Sequence, residues 1–211
     1  MFIKASTDNI DIAPQWQRAD LDEVKKLAQY PVALIGDVQA RMGIMASPIR
    51  PVTPNPRLAG TILPVHAREG DNLAIHRALD DARPGDVLVV NANAETNRAV
   101  FGDLLGEICR AKGVTGVVID GAVRDVDELA GQGLAVYARG ISPAGPWKNG
   151  PGRIGHPVAC GNIVCNPGDA IIGDNDGIIV IPQHALAATL ERTQAQEQTE
   201  QKMRNAIHAT A

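Results

Sequence analysis

The chain has 211 residues, of which 45% are hydrophobic and 21% charged. These values suit one globular domain with a packed core, and they exclude a disordered or fibrous protein. Twenty Lys and Arg against 24 Asp and Glu give a net charge of −4, which does not suit a general nucleic-acid binder that must neutralise phosphates. A localised basic pocket for a small anion remains compatible with this charge. Aromatic residues make up only 3% of the chain, so the core must be aliphatic.

Cysteine usage and the N-terminal segment indicate a soluble, cytoplasmic protein without a membrane partner. Cys109, Cys160 and Cys165 have neither disulfide-framework nor zinc-site spacing, so we expect all three to be reduced and mostly buried. The segment MFIKASTDN lacks the apolar region of a signal peptide. No stretch has the length of a transmembrane helix.

The first half of the chain alternates predicted helices and strands. Apolar residues at helical spacing predict a helix over 20–30, with Asp20 as its N-cap. Pro31 ends this helix, and VALIGDVQ (32–39) is predicted to be a strand. Four prolines make 45–56 a loop. The next predicted elements are a strand over 58–65, a helix over 71–82 begun by Asp71, and an apolar strand over 86–92.

The second half begins in the same way and then becomes rich in short strands. The predicted elements are a helix over 101–111, a strand over 116–120, a short helix over 125–129 and a strand over 134–140. Tight turns follow, among them GDNDG (173–177), which is a hairpin turn rather than a calcium loop. The polar segment 184–208 is predicted to be a helix with a thin apolar stripe, so we expect its distal half to contact another subunit or to fray. This order predicts one α/β domain over 1–211.

The predicted helix over 101–111 begins with Gly102 and Asp103. Free amides at a helix N-terminus form an anion site, and a glycine lets a ligand approach the backbone. The alternative is that Asp103 is an ordinary carboxylate in the first turn of a helix, where acidic residues are enriched.

The hexapeptide DGAVRD (120–125) directly follows an apolar strand. Ligands of open α/β sheets bind at the carboxyl ends of strands. Arg124 offers a planar fork to a carboxylate, and Asp125 offers hard oxygen to a divalent cation. The alternative is a turn in which Asp125 caps the next helix and Arg124 makes a surface ion pair.

Other candidate residues and motifs point less clearly to chemistry. His76 lies on a predicted helix among apolar residues, which favours an interior or subunit-contact histidine. Lys148 lies in an exposed loop that would not lower its pKa, so we expect a solvated lysine rather than a Schiff-base lysine. No HExxH, GxSxG, P-loop or GxGxxG motif is present, which disfavours the corresponding hydrolases and nucleotide binders.

Taken in order, the segments GDNLAIHRALDDARPGDVLVV, FGDLL, GVVIDGAVRD, YARGISP and NPGDAIIGDNDGIIVIP resemble one family over residues 30–182. It contains the class II 4-hydroxy-4-methyl-2-oxoglutarate / 4-carboxy-4-hydroxy-2-oxoadipate aldolases and the regulators of ribonuclease activity A. The resemblance implies a single-domain layered α/β/β sandwich of the swivelling-domain type. It also implies a lyase of aromatic compound degradation that cleaves a hydroxy keto acid to pyruvate with Mg²⁺ or Mn²⁺ and decarboxylates oxaloacetate.

The resemblance also implies roles for individual residues. Arg124 would bind the carboxylate and keto oxygens of the pyruvyl unit, and Asp125 would ligate the metal. Asp103, beside Gly102, would contact the metal through a water and take part in proton transfer. The backbone amides of Leu104 and Leu105 would hold the pyruvyl carboxylate. The bound cation would polarise the 2-keto group and stabilise the enolate.

In this family an acidic residue from a neighbour's C-terminal helix completes the site, which implies a homotrimer or homohexamer. Glu197 is the first candidate for that residue, followed by Glu200 and Glu191. The alternative is a solvated helix face. Two departures from the family pattern, NANAETNRAV after the 86–92 strand and a short tail after Arg204, affect the expected substrate more than the reaction type.

A non-enzymatic regulator that binds and inhibits a ribonuclease is the alternative function, because such regulators share the DGAVRD region. Asp103 and the acidic C-terminal helix favour the enzyme. A methyltransferase is disfavoured because no glycine-rich cofactor loop follows the first strand.

Overall fold

The computed structural model describes residues 6–209. Residues 1–5, which begin the segment considered for a signal peptide, and residues 210–211 of the predicted domain lie outside the described part. The helices are α1 (Leu21–Leu27), α2 (Val32–Val38), α3 (Leu73–Ala78), α4 (Asp103–Ala111), α5 (Val126–Gly131) and α6 (Leu186–Ala209), the last preceded by a 3-10 turn at Gln183–Ala185. The strands are β1 (Ile10–Ile12), β2 (Arg50–Pro51), β3 (Leu58–Ala67), β4 (Asp86–Asn91), β5 (Ala99–Phe101), β6 (Gly116–Val123), β7 (Ala135–Ile141), β8 (Gly152–Ile154), β9 (Val158–Cys160), β10 (Ile163–Cys165), β11 (Ala170–Asp174) and β12 (Gly177–Ile181).

One large mixed sheet organises the molecule. Its centre is the parallel set β3-β4-β6-β7, and the short β5 runs parallel to the end of β6. The antiparallel hairpin β11–β12 joins the first half of β3, and β8 joins its second half. Every residue of β6 is buried, as expected for a parallel strand covered on both faces.

Alternating side chains of the central strands pack into two different hydrophobic cores, one on each face of the sheet. Leu88 and Val90 pack with helices α3, α4 and α5 on one face of the sheet. Val87 and Val89 pack on the other face with the β9–β10 ribbon. The period-two alternation therefore builds a helix layer, a sheet and a smaller β layer, the predicted α/β/β arrangement.

A third core lies beside the β11–β12 hairpin. Helices α1, α2 and the first half of α6 pack there around Val24, Ile35, Ile179 and Leu186. Asp20 caps α1 as predicted, because its carboxylate accepts hydrogen bonds from the backbone N–H groups of Asp22 and Glu23 at 2.8 and 3.1 Å.

The strand predicted over 32–39 is wrong, because this segment is helix α2. Its buried residues Val32 and Ile35 pack in the core formed with α6 and the β11–β12 hairpin, so tertiary packing overrides the β preference of Val and Ile. The backbone N–H of Val32 donates to Oδ2 of Asp174 at 2.9 Å, which supplies an acceptor at the start of the helix.

Several predicted boundaries also shift. The helix predicted over 71–82 is confined to Leu73–Ala78, and Phe101 ends strand β5 instead of beginning helix α4. The strands predicted over 58–65, 86–92 and 134–140, and the hairpin at GDNDG, are confirmed to within a few residues. No helix within residues 6–209 has both the length and the apolar character needed to cross a bilayer.

The three cysteines are free and buried, as predicted. Burial raises the pKa of Cys109 and of Cys165 to about 12, and it raises the pKa of Cys160 well above its usual range. Burial therefore keeps the thiols protonated at neutral pH and makes them poor nucleophiles.

Candidate active site

The ends of β5 and β6 bring the two predicted motifs together. The strands run parallel, with Phe101 opposite Val123. At the next position the backbone N–H of Arg124 donates to the carbonyl of Phe101 at 2.9 Å. Gly102 and Asp103 therefore leave one strand beside the point where Arg124 and Asp125 leave the other, at the carboxyl edge of the sheet where α/β proteins bind ligands.

The carboxylate of Asp125 links these two strand ends. Its Oδ2 accepts a hydrogen bond from the backbone N–H of Asp103 at 3.3 Å and another from Nε of Arg124 at 3.1 Å. Asp125 does not cap its own helix α5 with its side chain, so the capping alternative is wrong. Its backbone is left-handed, with φ of 54°, an uncommon conformation for a residue other than glycine that directs the side chain back towards α4.

Gly102 makes this contact sterically possible. Its backbone is extended, with φ of −159°, so its requirement for glycine comes from space and not from backbone conformation. A Cβ at this position would collide with Oδ2 of Asp125 and lie 3.2 Å from Nε of Arg124. The absence of a side chain at residue 102 therefore lets the carboxylate reach the N-terminus of α4.

A cavity of about 580 Å³ opens beside these groups. Five of the residues predicted from the sequence line it: Gly102, Asp103, Leu104, Leu105 and Arg124. Asp103 is half-buried, and the side chain of Arg124 is 38% exposed. The first backbone N–H groups of a helix have no acceptor within the helix, so this wall combines those amides with a guanidinium group.

The cavity also has a wall that sequence reasoning missed. Asn72 and His76, on the N-terminal side and in the body of α3, line it together with Lys148. His76, predicted to be an interior or subunit-contact residue, is half-buried and faces this cavity, whereas Lys148 is exposed, as predicted. The helix containing His76 and the PWKNG loop were both visible in the sequence, but no local pattern indicated that they meet.

The missed wall has a distinct electrostatic character. Burial, and next the positive charge of Lys148, lower the pKa of His76 to about 4, against a smaller opposing effect of Asp80. His76 is therefore neutral at pH 7, and Lys148 supplies the positive charge. Oδ1 of Asn72 is buried without a hydrogen-bond partner, which is costly unless a ligand or water satisfies it.

Within residues 6–209, no group of three or more His, Cys, Asp or Glu side chains is arranged to hold a metal ion. Asp103 and Asp125 are the carboxylates at the N-terminus of α4. Two carboxylates, with further positions left for water and substrate, suit Mg²⁺ better than Zn²⁺, which needs a fuller set of protein ligands. The donor atoms present therefore fit a weakly held, oxygen-ligated divalent cation.

Glu197 lies away from the cavity of its own chain. Helix α6 packs against α1 and α2, and Oε1 of Glu197 lies 3.8 Å from a guanidinium nitrogen of Arg204. Residues 201–209 are all exposed, with Met203 and Ile207 at 59% and 63%. A role for Glu197 at the candidate site requires a second subunit, and it stays a prediction.

Comparisons with known proteins agree on the protein family. Residues 19–180 match the family model described as RraA-like, Aldolase/RraA. A protein of Halalkalibacterium halodurans, named as a candidate 4-hydroxy-4-methyl-2-oxoglutarate aldolase, is 32% identical over 190 residues, which cover 90% of each chain.

Two solved structures resemble most of the chain. One, from Streptomyces coelicolor, is described as an unusual member of the RNase ES inhibitor RraA protein family. It has a TM-score of 0.78 and 26% identity, covering 90% of this chain and 100% of that one. An uncharacterized protein of Pseudomonas syringae pv. tomato has the same fold, with a TM-score of 0.80 at 23% identity over 93% and 96% of the two chains.

Proposed function

The chain belongs to the RraA-like family, and from this premise we propose that it is a divalent-metal-dependent pyruvate aldolase. Its proposed substrates are 4-hydroxy-4-methyl-2-oxoglutarate and 4-carboxy-4-hydroxy-2-oxoadipate, which it cleaves to pyruvate and a second keto acid, with oxaloacetate decarboxylation as an additional activity. One observation carries the proposal: Arg124, Asp125 and the N-terminus of α4 meet beside one cavity. The name of the H. halodurans relative supports the choice of substrate.

Arg124 and the first turn of α4 bind the pyruvyl carboxylate. Asp125 accepts from Nε of Arg124, which leaves the two terminal guanidinium nitrogens for the substrate. The amides of Leu104 and Leu105 lie in the first turn, where the helix dipole favours an anion. Gly145 lies against the same guanidinium, because a Cβ there would sit 2.9 Å from one of its terminal nitrogens. These contacts orient Arg124 before substrate arrives.

Asp125 and Asp103 would hold the divalent cation, Asp125 directly and Asp103 through water. When bound, such a cation supplies Lewis acidity that stabilises the enolate of pyruvate. Asp103 is half-buried on the cavity wall, where its carboxylate would orient a water molecule. This water would accept the 4-hydroxyl proton as the C3–C4 bond breaks, and the proton would then be returned to C3 of the pyruvate enolate. Arg124 balances the negative charge that develops on the pyruvyl oxygens.

The wall formed by Asn72, His76 and Lys148 receives the far end of the substrate. Both proposed substrates carry at least one further carboxylate, and Lys148 supplies a cation for it. His76 is neutral at pH 7, so it contributes a hydrogen bond without adding charge. Asn72 lines the same wall, and its buried Oδ1 has no hydrogen-bond partner within the described residues.

The proposed enzyme is a homotrimer or homohexamer in which Glu197 of one subunit completes the site of the next. The exposed apolar side chains of Met203 and Ile207 on the distal part of α6 support an assembly that covers them.

Pyruvate release from 4-hydroxy-4-methyl-2-oxoglutarate and from oxaloacetate, with added Mg²⁺ and with EDTA, tests the proposal. We expect metal-dependent turnover that falls about 30- to 100-fold in Arg124→Ala, the loss of about 2–3 kcal/mol of charge-assisted hydrogen bonding. Arg110→Ala is the matched control, because Arg110 is an exposed residue near the end of α4 and its loss should leave the rate unchanged. Absence of turnover, together with stoichiometric inhibition of a ribonuclease, would instead support a regulator like those of the RraA group.

A further inference from the structure

Asp71 is a buried carboxylate outside the chemistry described so far. Asp71 is only 1% exposed. Oδ1 accepts a hydrogen bond from the backbone N–H of Leu73 at 2.9 Å. Oδ2 accepts from the backbone N–H groups of Asn149 and Gly150 at 2.7 and 3.1 Å. Three backbone donors thus converge on one carboxylate.

These donors come from two segments that are far apart in the sequence. Leu73 begins α3, whereas Asn149 and Gly150 follow Lys148 in the strap 147–150. Two backbone hydrogen bonds run beside the carboxylate, from N of Trp147 to O of Gly70 at 2.8 Å and from N of Asn72 to O of Trp147 at 3.0 Å. Asp71 therefore lies at the point where the strap 147–150 joins the start of α3.

Each joined segment carries one part of the missed cavity wall. Asn72 and His76 belong to α3 or its N-cap position, and Lys148 belongs to the strap. The charge of Lys148 already acts on His76, so the two side chains are near enough for their separation to matter. The hydrogen bonds that join the strap to residues 70–72 explain why Lys148 faces this helix.

We propose that Asp71 is a positioning residue, which fixes the strap 147–150 against α3 and so sets Lys148 opposite His76 and Asn72 for the second carboxylate of the substrate. The proposal deepens the proposed aldolase function and rests on it. Asp71 does not touch the cavity and acts only through the groups it holds.

The carboxylate is specifically suited to this role. Both oxygens accept hydrogen bonds, and Oδ2 accepts two of them. In Asp71→Asn, one oxygen becomes an NH2 group that faces backbone donors, so at least one buried N–H group loses its acceptor. The strap, whose residues 147–149 are exposed, then loses part of its attachment to α3, and we expect residues 148–150 to shift.

The kinetic test compares two reactions of the same enzyme. Cleavage of 4-hydroxy-4-methyl-2-oxoglutarate requires the whole cavity, whereas exchange of the pyruvate methyl protons in D2O requires only the pyruvyl wall. We expect Asp71→Asn to raise KM for cleavage about tenfold, a change of about 1.4 kcal/mol, and to change the exchange rate less than about threefold. Asp81→Asn is the control, since Asp81 follows α3 and forms an exposed pair with Arg77.

A double-mutant cycle separates positioning from a general structural loss. In a Lys148→Met background the Asp71→Asn change has no lysine left to position, so it should raise KM less than about twofold further. Equal losses in both reactions, or additive effects in the cycle, would overturn the proposal. If Asp71→Asn does not fold, Asp71→Glu gives the same comparison, because its extra methylene pushes the strap outward while both oxygens remain.

An NMR titration of His76 tests the positioning independently of any activity. Displacement of Lys148 removes one of the two causes that lower the pKa of His76, so this pKa should rise from about 4 in Asp71→Asn. Asp80, the other charged group acting on the ring, is unchanged. An unmoved pKa would contradict the positioning role even in an active enzyme, whereas a raised pKa in a protein without turnover would refute only the proposed function.

Discussion

Oδ2 of Asp125 lies 3.3 Å from the backbone nitrogen of Asp103 and accepts its hydrogen bond. The same atom accepts from Nε of Arg124 at 3.1 Å. A single carboxylate oxygen therefore connects the guanidinium group at the end of β6 to the N-terminus of α4. A change that displaces this atom should disturb both groups at once.

Gly102→Ala should displace that oxygen without unfolding the protein. The new Cβ would overlap Oδ2 of Asp125, while the extended backbone at residue 102 accepts any amino acid. On the proposed function, kcat/KM should fall at least about tenfold, or about 1.4 kcal/mol, in the pyruvate-release assay.

Gly131→Ala is the control for this substitution. A Cβ at Gly131, the last residue of α5, meets no atom within 4 Å, so activity should stay at the wild-type value and helix propensity should slightly favour the alanine. Wild-type kcat/KM in Gly102→Ala would show that the contact between Asp125 and α4 is irrelevant to catalysis.

The stability of the protein should decrease as the pH falls from about 6.5 to about 4. The pKa of His76 is about 4 in the folded protein, lowered first by burial and then by Lys148, against 6.5 for an ordinary histidine. Between pH 6.5 and pH 4 His76 is protonated in the unfolded chain but stays neutral in the folded protein, and below pH 4 it is protonated in both states. After allowance for the partly exposed ring, this costs at most about 2 kcal/mol.

Chemical denaturation at a series of pH values measures this effect. His76→Gln should flatten the decrease between pH 6.5 and 4, because its amide side chain does not titrate. His184→Gln, at an exposed histidine before α6, should leave the decrease intact. Identical pH profiles for His76→Gln and the wild type would rule out His76 as its source.

The ion pair between Arg18 and Asp86 should be important for stability rather than for activity. Asp86 is fully buried, and its carboxylate accepts from Nε and Nη2 of Arg18 at 2.7 and 3.0 Å. Arg18→Met leaves this carboxylate without its cation, which costs about 3 kcal/mol and should lower Tm by about 6–12 °C for a chain of this size.

Differential scanning calorimetry compares this variant with Arg41→Met. Arg41 pairs with Asp37 on the surface at 3.4 Å, with both side chains more than half exposed, and such pairs contribute about 1 kcal/mol at most. A drop in Tm for Arg18→Met no larger than that for Arg41→Met would contradict the importance of the buried pair.

The three thiols should resist modification in the native protein. Burial raises the pKa of all three, to about 12 for Cys109 and Cys165, so the thiolate is scarce and inaccessible. Ellman's reagent should label fewer than about one thiol per chain in buffer and about three in guanidinium chloride. Rapid labelling of a native thiol would indicate local opening of the β9–β10 ribbon or of α4.

Complementation between inactive variants tests the proposed contribution of Glu197 across subunits. Arg124→Ala and Glu197→Gln should each retain only a few per cent of the activity or less when expressed alone, a loss of about 30-fold or more. When they are co-expressed, random assembly pairs an intact Arg124 with a neighbour's intact Glu197 in about a quarter of the sites of a ring, so about a quarter of the activity should return. Glu200→Gln in place of Glu197→Gln distinguishes the two candidates. Absence of recovery with either variant would contradict a shared site.

The parts of the fold that could be predicted are those encoded locally. The apolar run at the start of β6 and the hexapeptide 120–125 placed Arg124 and Asp125 at a strand end, because a buried parallel strand and its loop are contiguous in the sequence. The strand itself continues to Val123, three residues beyond its predicted end. The segment 32–39 was predicted wrongly as a strand, because a short apolar run is compatible with either a strand or a helix. Its packing against α6, which the local sequence does not show, determines that it forms a helix.

The far wall of the cavity could not be predicted for a related reason. Asp71 accepts hydrogen bonds from Asn149 and Gly150, which lie 78 and 79 positions further along the chain. Nothing near Lys148 in the sequence indicates this contact. His76 lies among apolar residues typical of any core-facing helix, so its position beside a cavity depends on the strap that covers it.

The strap 147–150 is attached differently from the groups it faces. Arg124 and the start of α4 continue directly from strands buried in the sheet. The strap is instead held by backbone hydrogen bonds, by the carboxylate of Asp71 and by side chains from elsewhere in the chain, namely Asn9, Arg68 and Arg98. Backbone bonds do not depend on side-chain identity, so positions 148 and 149 can change residue while the attachment persists, whereas the ring of Trp147 contacts the guanidinium group of Arg98 at 4.7 Å. Substrate preference could therefore diverge among relatives, or be redesigned, by exchanging a few residues of this strap while the strand ends that hold the proposed reaction centre stay the same.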